Sequence, residues 1–276
     1  MRTEKNMEYS VLMAVYQKED PAFFRNSIQS VLNQTISPTD FVLVCDGPLT
    51  QGLEEVIVWA EALLGSRMQC IRLKQNEGLG KALRTGLPYC RCACIARMDS
   101  DDISRSNRME RQLTAMLQGN YDIVSAWLEE FNEVPGDSGR IRQVPETGEE
   151  IAQYLKKRNP FNHPCVMFRK EAVLEAGGYQ DFPWFEDYYL WARMLERHAR
   201  GYNLPEVLLD MRAGKGMYDR RGGMAYLKSV IRFQFYLRKA GFNGLRDCLK
   251  NCVIRVTVAL IPRIIREKFY GAFLRK

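Results

Sequence analysis

A chain of 276 residues with 46% hydrophobic and 26% charged side chains can bury one large core or two small ones, and this balance excludes a wholly disordered or fibrous protein. Two histidines, His163 and His198, rule out a zinc site built on several histidines, and a Ser/His/Asp triad would have to recruit one of the pair. The net charge of +7 is uneven: residues 195–276 hold 18 Lys and Arg against six Asp and Glu, a balance of +12, while the first 194 residues stand at −5.

Tyr9–Val15 is a short apolar run with the character of a buried strand. Ala22–Gln34 follows with Phe23, Phe24, Ile28, Val31 and Leu32 at helical spacing. Phe41–Cys45 is a second strand that stops at the turn Asp46-Gly47-Pro48. Leu53–Leu64 reads as a helix, Met68–Leu73 as a strand, Leu79–Leu87 as a helix and Ala93–Met98 as a fourth strand ending at Asp99. Cys90, Cys92 and Cys94 alternate at strand spacing and are expected to share one strand face. A helix including Arg108–Leu117 comes next, and Gly136-Asp137-Ser138-Gly139 is a loop. Buried strands alternating with helices predict parallel βαβ units, whose ligands bind outside the strands' carboxyl ends. Tyr16, Asp46, Asn76 and Asp99 stand at those ends.

No 18-residue apolar run occurs, and the N-terminal stretch Met1–Tyr9 lacks the apolar core of a secretory signal. The eight cysteines form no C-x-x-C pair. Together these features predict a cytosolic protein with reduced, mostly buried thiols.

Four constellations have the residue types for chemistry. Asp99-Ser100-Asp101-Asp102, directly after a strand, can converge on a hard divalent cation and leave coordination positions for phosphate oxygens; it can equally be a capped turn opening the next helix. An EF-hand is excluded, because counting from Asp99 the fifth and sixth positions are Ile103 and Ser104. Gly78-Leu79-Gly80-Lys81 is a glycine turn into a helix, able to meet a phosphate through backbone N–H groups with Lys81 or Arg84, or simply a helix start. Glu186-Asp187 sits among Trp184, Phe185, Tyr188, Tyr189 and Trp191, where apolar surroundings raise a carboxyl toward the range of a general base; capping of the following helix is the plainer reading. His163, in Asn162-His163-Pro164, is either a structural hydrogen-bonding group or a ligand near a metal and diphosphate.

The basic tail has its own pattern. Between Leu245 and Lys276, Val253, Ile254, Val256, Ile261, Ile264, Ile265, Phe269 and Phe273 interleave with Arg246, Lys250, Arg255, Arg263, Arg266, Lys268, Arg275 and Lys276. Apolar bulk with a basic rim suits helices lying in an anionic membrane interface, or a core-packed helix pair with a solvated basic face. Pro262 breaks or kinks the stretch.

Taken in order, Tyr9–Tyr16, Ser27–Thr35, Val44-Cys45-Asp46-Gly47, Asn76–Gly80, Met98–Asp102 and Phe185–Trp191 resemble a bacterial family 2 glycosyltransferase of the surface-polysaccharide type, over roughly Tyr9 to Leu209. The resemblance implies an α/β GT-A fold, a Rossmann-like, mostly parallel sheet flanked by helices, over residues 1–215, with 216–276 as a helical, amphipathic, basic extension. It implies inverting transfer of a sugar from a nucleotide diphosphate donor, UDP in the first instance, assisted by Mn²⁺ or Mg²⁺. The acceptor would be a glycan or a polyprenyl-diphosphate-linked sugar.

Carried over by residue, Ala14 and Tyr16 would lie by the nucleoside and Asp46 would bind the uracil. Gly78, Lys81, Asp99 and Ser100 would complete the nucleotide-sugar contacts. Asp99, Asp101 and His163 would hold the cation, and Asp187, with Glu186 beside it, would be the catalytic base. Cys45 departs from the family pattern, which often has an acid there. With the N-terminus and the basic, apolar tail, the lipid-linked acceptor that the resemblance implies leads to the expectation of a cytoplasmic enzyme, peripheral on the inner membrane face and without a nucleic-acid partner. A nucleotidyltransferase and a basic nucleic-acid- or membrane-binding module are the competing readings; a nucleic-acid module gives the paired acids no task.

Overall fold

The computed structural model describes residues 7–213 and 223–260. β1 (Ser10–Val15) leads into α1 (Pro21–Leu32), whose start is set by Asp20: its Oδ1 accepts the Ala22 N–H at 2.7 Å, and Pro21 occupies the first turn, where no N–H is needed. β2 (Asp40–Cys45), α2 (Gln51–Leu64), β3 (Met68–Arg72), α3 (Leu79–Gly86) and β4 (Cys94–Met98) continue the alternation. β1 pairs in parallel with both β2 and β4, and β2 with β3, as expected of βαβ units.

Beyond β4 the sheet is mixed. The chain runs through β5 (Ile103–Ser104), α4 (Arg108–Gly119), β6 (Ile123–Phe131), β7 (Arg140–Arg142), α5 (Gly148–Leu155), β8 (Met167–Arg169), α6 (Lys170–Glu175), α7 (Glu186–Glu196), β9 (Gly201–Arg212), α8 (Met224–Lys239) and α9 (Leu245–Leu260). The described strands form one sheet in the order β3-β2-β1-β4-β8-β6-β9-β5, with β7 on β6. β8 lies antiparallel to β4 and β6, so the carboxyl ends of β1, β2 and β4 open on one side of a sheet that continues past them.

Alternate strand residues feed two cores, one on each face, because side chains along a strand point to opposite sides. Val11, Met13, Phe41 and Leu43 pack against α1, α2 and α4, while Leu12, Val42, Val44 and Ile95 pack against α3, α6 and α7. Trp191 of α7 is fully enclosed in the second core, and truncating it to Ala costs about 3–5 kcal/mol.

The three alternating cysteines do not share a strand. Pro88 lies in a 3₁₀ turn at Leu87–Tyr89 that ends at Cys90. Asp40 then accepts from the backbone N–H and Nε of Arg91, and Ser10 Oγ accepts from the Cys92 N–H, so β4 begins only at Cys94. All eight cysteines are free thiols.

A third core joins α7 to α8. Phe182, Phe185, Tyr188 and Ala192 meet Tyr226, Leu227, Val230, Phe233 and Leu237, with the Phe233 ring 4.3 Å from Tyr188 and 5.1 Å from Phe185. α9 buries Cys248 and leans Val256 on this cluster, whereas Leu249, Val253 and Ile254 are exposed. No helix among the described residues is long and apolar enough to cross a membrane. The expected 215/216 junction and the stretch containing Pro262 lie outside the described residues.

Candidate active site

The acids after β4 are held by the elements around them. Ser27 Oγ of α1 donates to the Asp99 carbonyl at 2.6 Å, and Ser100 Oγ donates to Glu19 Oε2 at 2.7 Å. Asp102 Oδ1 accepts the Arg212 N–H of β9 at 2.8 Å. This packing brings carboxylate oxygens of Asp99, Asp101 and Asp102 within 4.8 Å of one another. Asp102 Oδ2 is buried with no hydrogen-bond partner. Burial, then the charges of Asp99 and Glu19, pushes the Asp101 carboxyl up to about 7; burial, then the charges of Asp99 and Asp101, raises Asp102 well above its ordinary value. Crowded carboxylates with an unsatisfied buried oxygen are a hard-oxygen donor set suited to Mg²⁺ or Mn²⁺.

Arg97 faces the second core and is 1% exposed. Both terminal nitrogens of its guanidinium pair with the two oxygens of Asp99. Its positive charge also acts on Asp101, Asp187, His163 and Tyr179. The acids after β4 and the acid at the start of α7 therefore lie within reach of one buried cation.

Asp46, at the end of β2, organises a neighbouring loop. Its Oδ1 accepts the Glu77 N–H at 2.7 Å, and Oδ2 accepts the Gly78 N–H at 2.9 Å and Asn76 Nδ2 at 3.1 Å. Gly47 is required beside it: its φ is +91°, and a Cβ would stand 2.7 Å from the Asn76 nitrogen. The loop delivers α3, where Lys81 is half-buried in the first turn and Gly80 lies against Glu186. A Cβ on Gly80 would come within 2.9 Å of Glu186 Cγ, so the glycine turn and the acidic pair, separate in the sequence, meet in the fold. Ala14 and Tyr16 stand at the end of β1, the first half-buried and the second exposed.

Glu186 and Asp187 occupy the first turn of α7, behind Trp184, whose φ of +67° is unusual for a bulky residue. Phe185, not an acid, is the N-cap. Asp187 Oδ1 accepts the Tyr188 N–H at 2.7 Å, and Oδ2 accepts Asn159 Nδ2 at 2.7 Å. Burial raises both carboxyls; for Asp187 this outweighs the lowering by the Tyr188 N–H, Arg97 and Arg142.

His163 stands on the Asp187 side of this arrangement. Its Nδ1 is 4.0 Å from Asp187 Oδ2 and its Nε2 is 3.2 Å from the Tyr179 hydroxyl, so it is placed beside the acidic pair and not among the three clustered aspartates. Burial, aided by Arg97, drives its pKa well below the ordinary histidine value and keeps the ring neutral. His198 lies just past the end of α7. Arg97, Asn159 and Tyr179 are not singled out by the sequence, and Asp102 stands there only as part of the acidic run. The one available signal was a lone charge inside the apolar run Cys94–Met98. A hollow of about 660 Å³ elsewhere flanks the strands' amino ends and is lined by Thr39, Arg67, Arg91 and Cys94, with none of these acids.

Comparison with known proteins agrees with this layout. The model of glycosyl transferase family 2 matches residues 10–178. A UDP-Gal:alpha-D-GlcNAc-diphosphoundecaprenol beta-1,3-galactosyltransferase of Escherichia coli is 38% identical over 98% of this chain and 97% of its own length. The amylovoran biosynthesis glycosyltransferase AmsE of Erwinia amylovora is 37% identical over 95% of this chain and 97% of its own. Among solved structures, S. aureus TarS 1-349 superposes with a TM-score of 0.68 at 13% identity, covering 97% of this chain and 75% of that one. The mannosyltransferase PcManGT of Pyrobaculum calidifontis, solved with GDP-Man and Mn²⁺, superposes with a TM-score of 0.64 at 14% identity over 96% and 79%. With acids at the carboxyl ends of a parallel strand set, the fold is GT-A, and the chain belongs to glycosyl transferase family 2 as a glycosyltransferase.

Proposed function

We propose that this glycosyltransferase moves a sugar from a UDP-sugar, with inversion, onto a hydroxyl of a polyprenyl-diphosphate-linked sugar in bacterial surface-polysaccharide synthesis. The observation that carries the reading is the convergence of Asp99, Asp101 and Asp102 with Asp187 around the buried Arg97. The donor and acceptor classes rest on 38% identity, end to end, with an enzyme whose name gives UDP-galactose and a GlcNAc-diphospholipid.

In this reading Asp187 takes the proton of the acceptor hydroxyl as that oxygen attacks the anomeric carbon in line. The bond from that carbon to the β-phosphate oxygen breaks, and UDP leaves with the electron pair. A hydroxyl is too weak an acid to react unaided near neutrality, and a carboxyl raised by burial is a better-matched base than a solvated one. Glu186 flanks the base and touches Gly80, where the glycine turn and Lys81 meet the diphosphate. Ala14, Tyr16 and the Asp46-held loop form the nucleoside side, with Ser100 near it. Asp101 and Asp102, with Asp99, would hold a divalent cation, which when bound neutralises charge growing on the leaving diphosphate. His163 stays neutral beside the base.

The C-terminal helices, which we treat as an extension of the catalytic domain, give the enzyme a route to its lipid-linked acceptor. Exposed Leu249, Val253 and Ile254 on α9 alternate with Arg246 and Lys250, as expected for contact with an anionic inner-membrane surface. The deciding experiment is a screen of nucleotide sugars, with Mn²⁺ and a synthetic GlcNAc-diphospholipid, for release of free nucleotide. UDP release dependent on the acceptor is expected; pyrophosphate in its place would assign a nucleotidyltransferase.

A further inference from the structure

We infer that Asn159 is a positioning residue for Asp187, and that α9 holds Asn159 in place through the loop that carries it. The inference rests on the reading of Asp187 as the base.

Both Asp187 oxygens are anchored: Oδ1 by the Tyr188 N–H and Oδ2 by Asn159 Nδ2, each at 2.7 Å. Two anchors fix rotation of the carboxylate plane and leave each oxygen a second lone pair for a substrate proton. The orientation of the Asn159 amide is itself determined. Its Oδ1 accepts the Phe161 N–H at 3.2 Å, so Nδ2 is the end that faces the carboxylate. The other groups acting on Asp187 do not replace this anchor. Glu186 on the same helix carries a like charge that repels it, neutral His163 stands 4.0 Å away, Arg97 and Arg142 act as charges, and Tyr179 is turned to His163.

Asn159 lies in the segment between α5 and the turn at His163, and that segment is gripped from outside by its carbonyls. The Tyr188 hydroxyl donates to Leu155 O, Asn251 Nδ2 of α9 donates to Lys156 O at 2.9 Å, and Arg255 of α9 donates to Lys157 O. Asn251 Nδ2 also reaches Gln234 Oε1 on α8 at 3.2 Å, and that Gln234 side chain is fully buried. Hydrogen bonds thus tie the C-terminal helix pair to the carbonyls of Lys156 and Lys157, the backbone carries that hold two residues on to Asn159, and Asn159 Nδ2 bonds the base. Displacement of a reacting group by an ångström can cost about 100-fold in rate, which is the scale on which such a support acts.

The test uses the full chain, a UDP-sugar that supports turnover, and Asn159→Ala, Asn251→Leu and Asp187→Asn variants. Asn159→Ala is expected to lower kcat about 30-fold, with donor KM, UDP affinity and melting temperature little changed. Asn251→Leu, which keeps bulk but loses the strut, should lower kcat in the same direction by less, without altering binding to anionic vesicles. In an Asp187→Asn background, Asn159→Ala should have no further effect on product formed over long incubations. Normal kcat for Asn159→Ala beside an inactive Asp187→Asn overturns the positioning role and leaves the base intact; near-normal turnover by Asp187→Asn removes the base assignment itself. A full additional loss in the double variant also overturns the inference, because Asn159 would then act elsewhere. Should Asn159→Ala fail to fold, Asn251→Leu decides, and unchanged kcat in that variant counts against the support from α9.

Discussion

Arg97 and Asp99, two residues apart at the end of β4, form a two-pronged ion pair in which the guanidinium is enclosed and the carboxylate is about a quarter exposed. An arginine within the sheet is costly to bury, and its Nε has no partner. The pair fixes Asp99 and supplies a positive charge that acts on both the clustered aspartates and Asp187. Replacing Arg97 with Met is expected to destabilise the fold by about 3 kcal/mol and to abolish transfer. Arg97→Lys, which keeps the charge and loses the fork, should fold better than the Met variant but remain poorly active. Denaturant unfolding beside a transfer assay checks both; full activity in the Lys variant would show that only charge matters.

The Asp101 carboxyl gives a pH dependence with a definite sign. Burial, followed by Asp99 and Glu19, pushes it up to about 7, whereas an unfolded aspartate titrates near about 4. The folded chain therefore holds a proton that the unfolded chain releases. The stability this supplies is fully present below about pH 4 and is lost as pH rises through about 7. Metal-free protein should lose melting temperature over that interval, and Asp101→Asn should lose less. Identical pH slopes for the two proteins would contradict the assignment. Mn²⁺ should offset the decline in the unaltered protein and have little effect on Asp101→Asn.

Much of this arrangement is legible in the sequence. The strands ending at Cys45 and Met98, the helices between them, and the placing of Asp46 and Asp99 at strand ends follow from periodicity and turn residues alone. The misplaced cysteines show the limit: alternation at Cys90–Cys94 mimics a strand, but Pro88 and the side chains of Asp40 and Ser10 bend the chain first. Asn159 and Asp187 are 28 residues apart and meet only through packing of α5, α7 and α9. His163 was expected among the cation ligands because local sequence cannot show which acidic set a loop faces. Asp102 was visible in the motif, but its unpartnered oxygen is a property of burial.

Asp46 is expected to act through the loop it holds. Asp46→Ala removes acceptors for the Glu77 and Gly78 N–H groups and for Asn76 at once, freeing the turn into α3. Donor KM should rise about tenfold or more with a smaller change in kcat, a loss of at least about 1.4 kcal/mol of binding. An unchanged donor KM would remove Asp46 and its loop from the nucleotide side.

The outer face of α9 predicts a lipid dependence. Protein carrying Leu249→Asp and Val253→Asp should fold normally, since both side chains are exposed, yet lose sedimentation with vesicles containing phosphatidylglycerol. The unaltered protein should bind those vesicles more weakly as salt rises and bind neutral phosphatidylcholine vesicles poorly. Equal partition of both proteins would exclude α9 as the membrane contact.

The account stands most directly on Asp187. With UDP, Mn²⁺ and a synthetic GlcNAc-diphospholipid, calorimetric titration and product analysis of Asp187→Asn separate donor binding from chemistry. UDP affinity equal to that of the unaltered protein, with transfer reduced about 10³-fold, is the predicted result. Turnover close to normal, or loss of UDP binding in step with activity, would contradict a base that serves the acceptor while the clustered aspartates serve the donor.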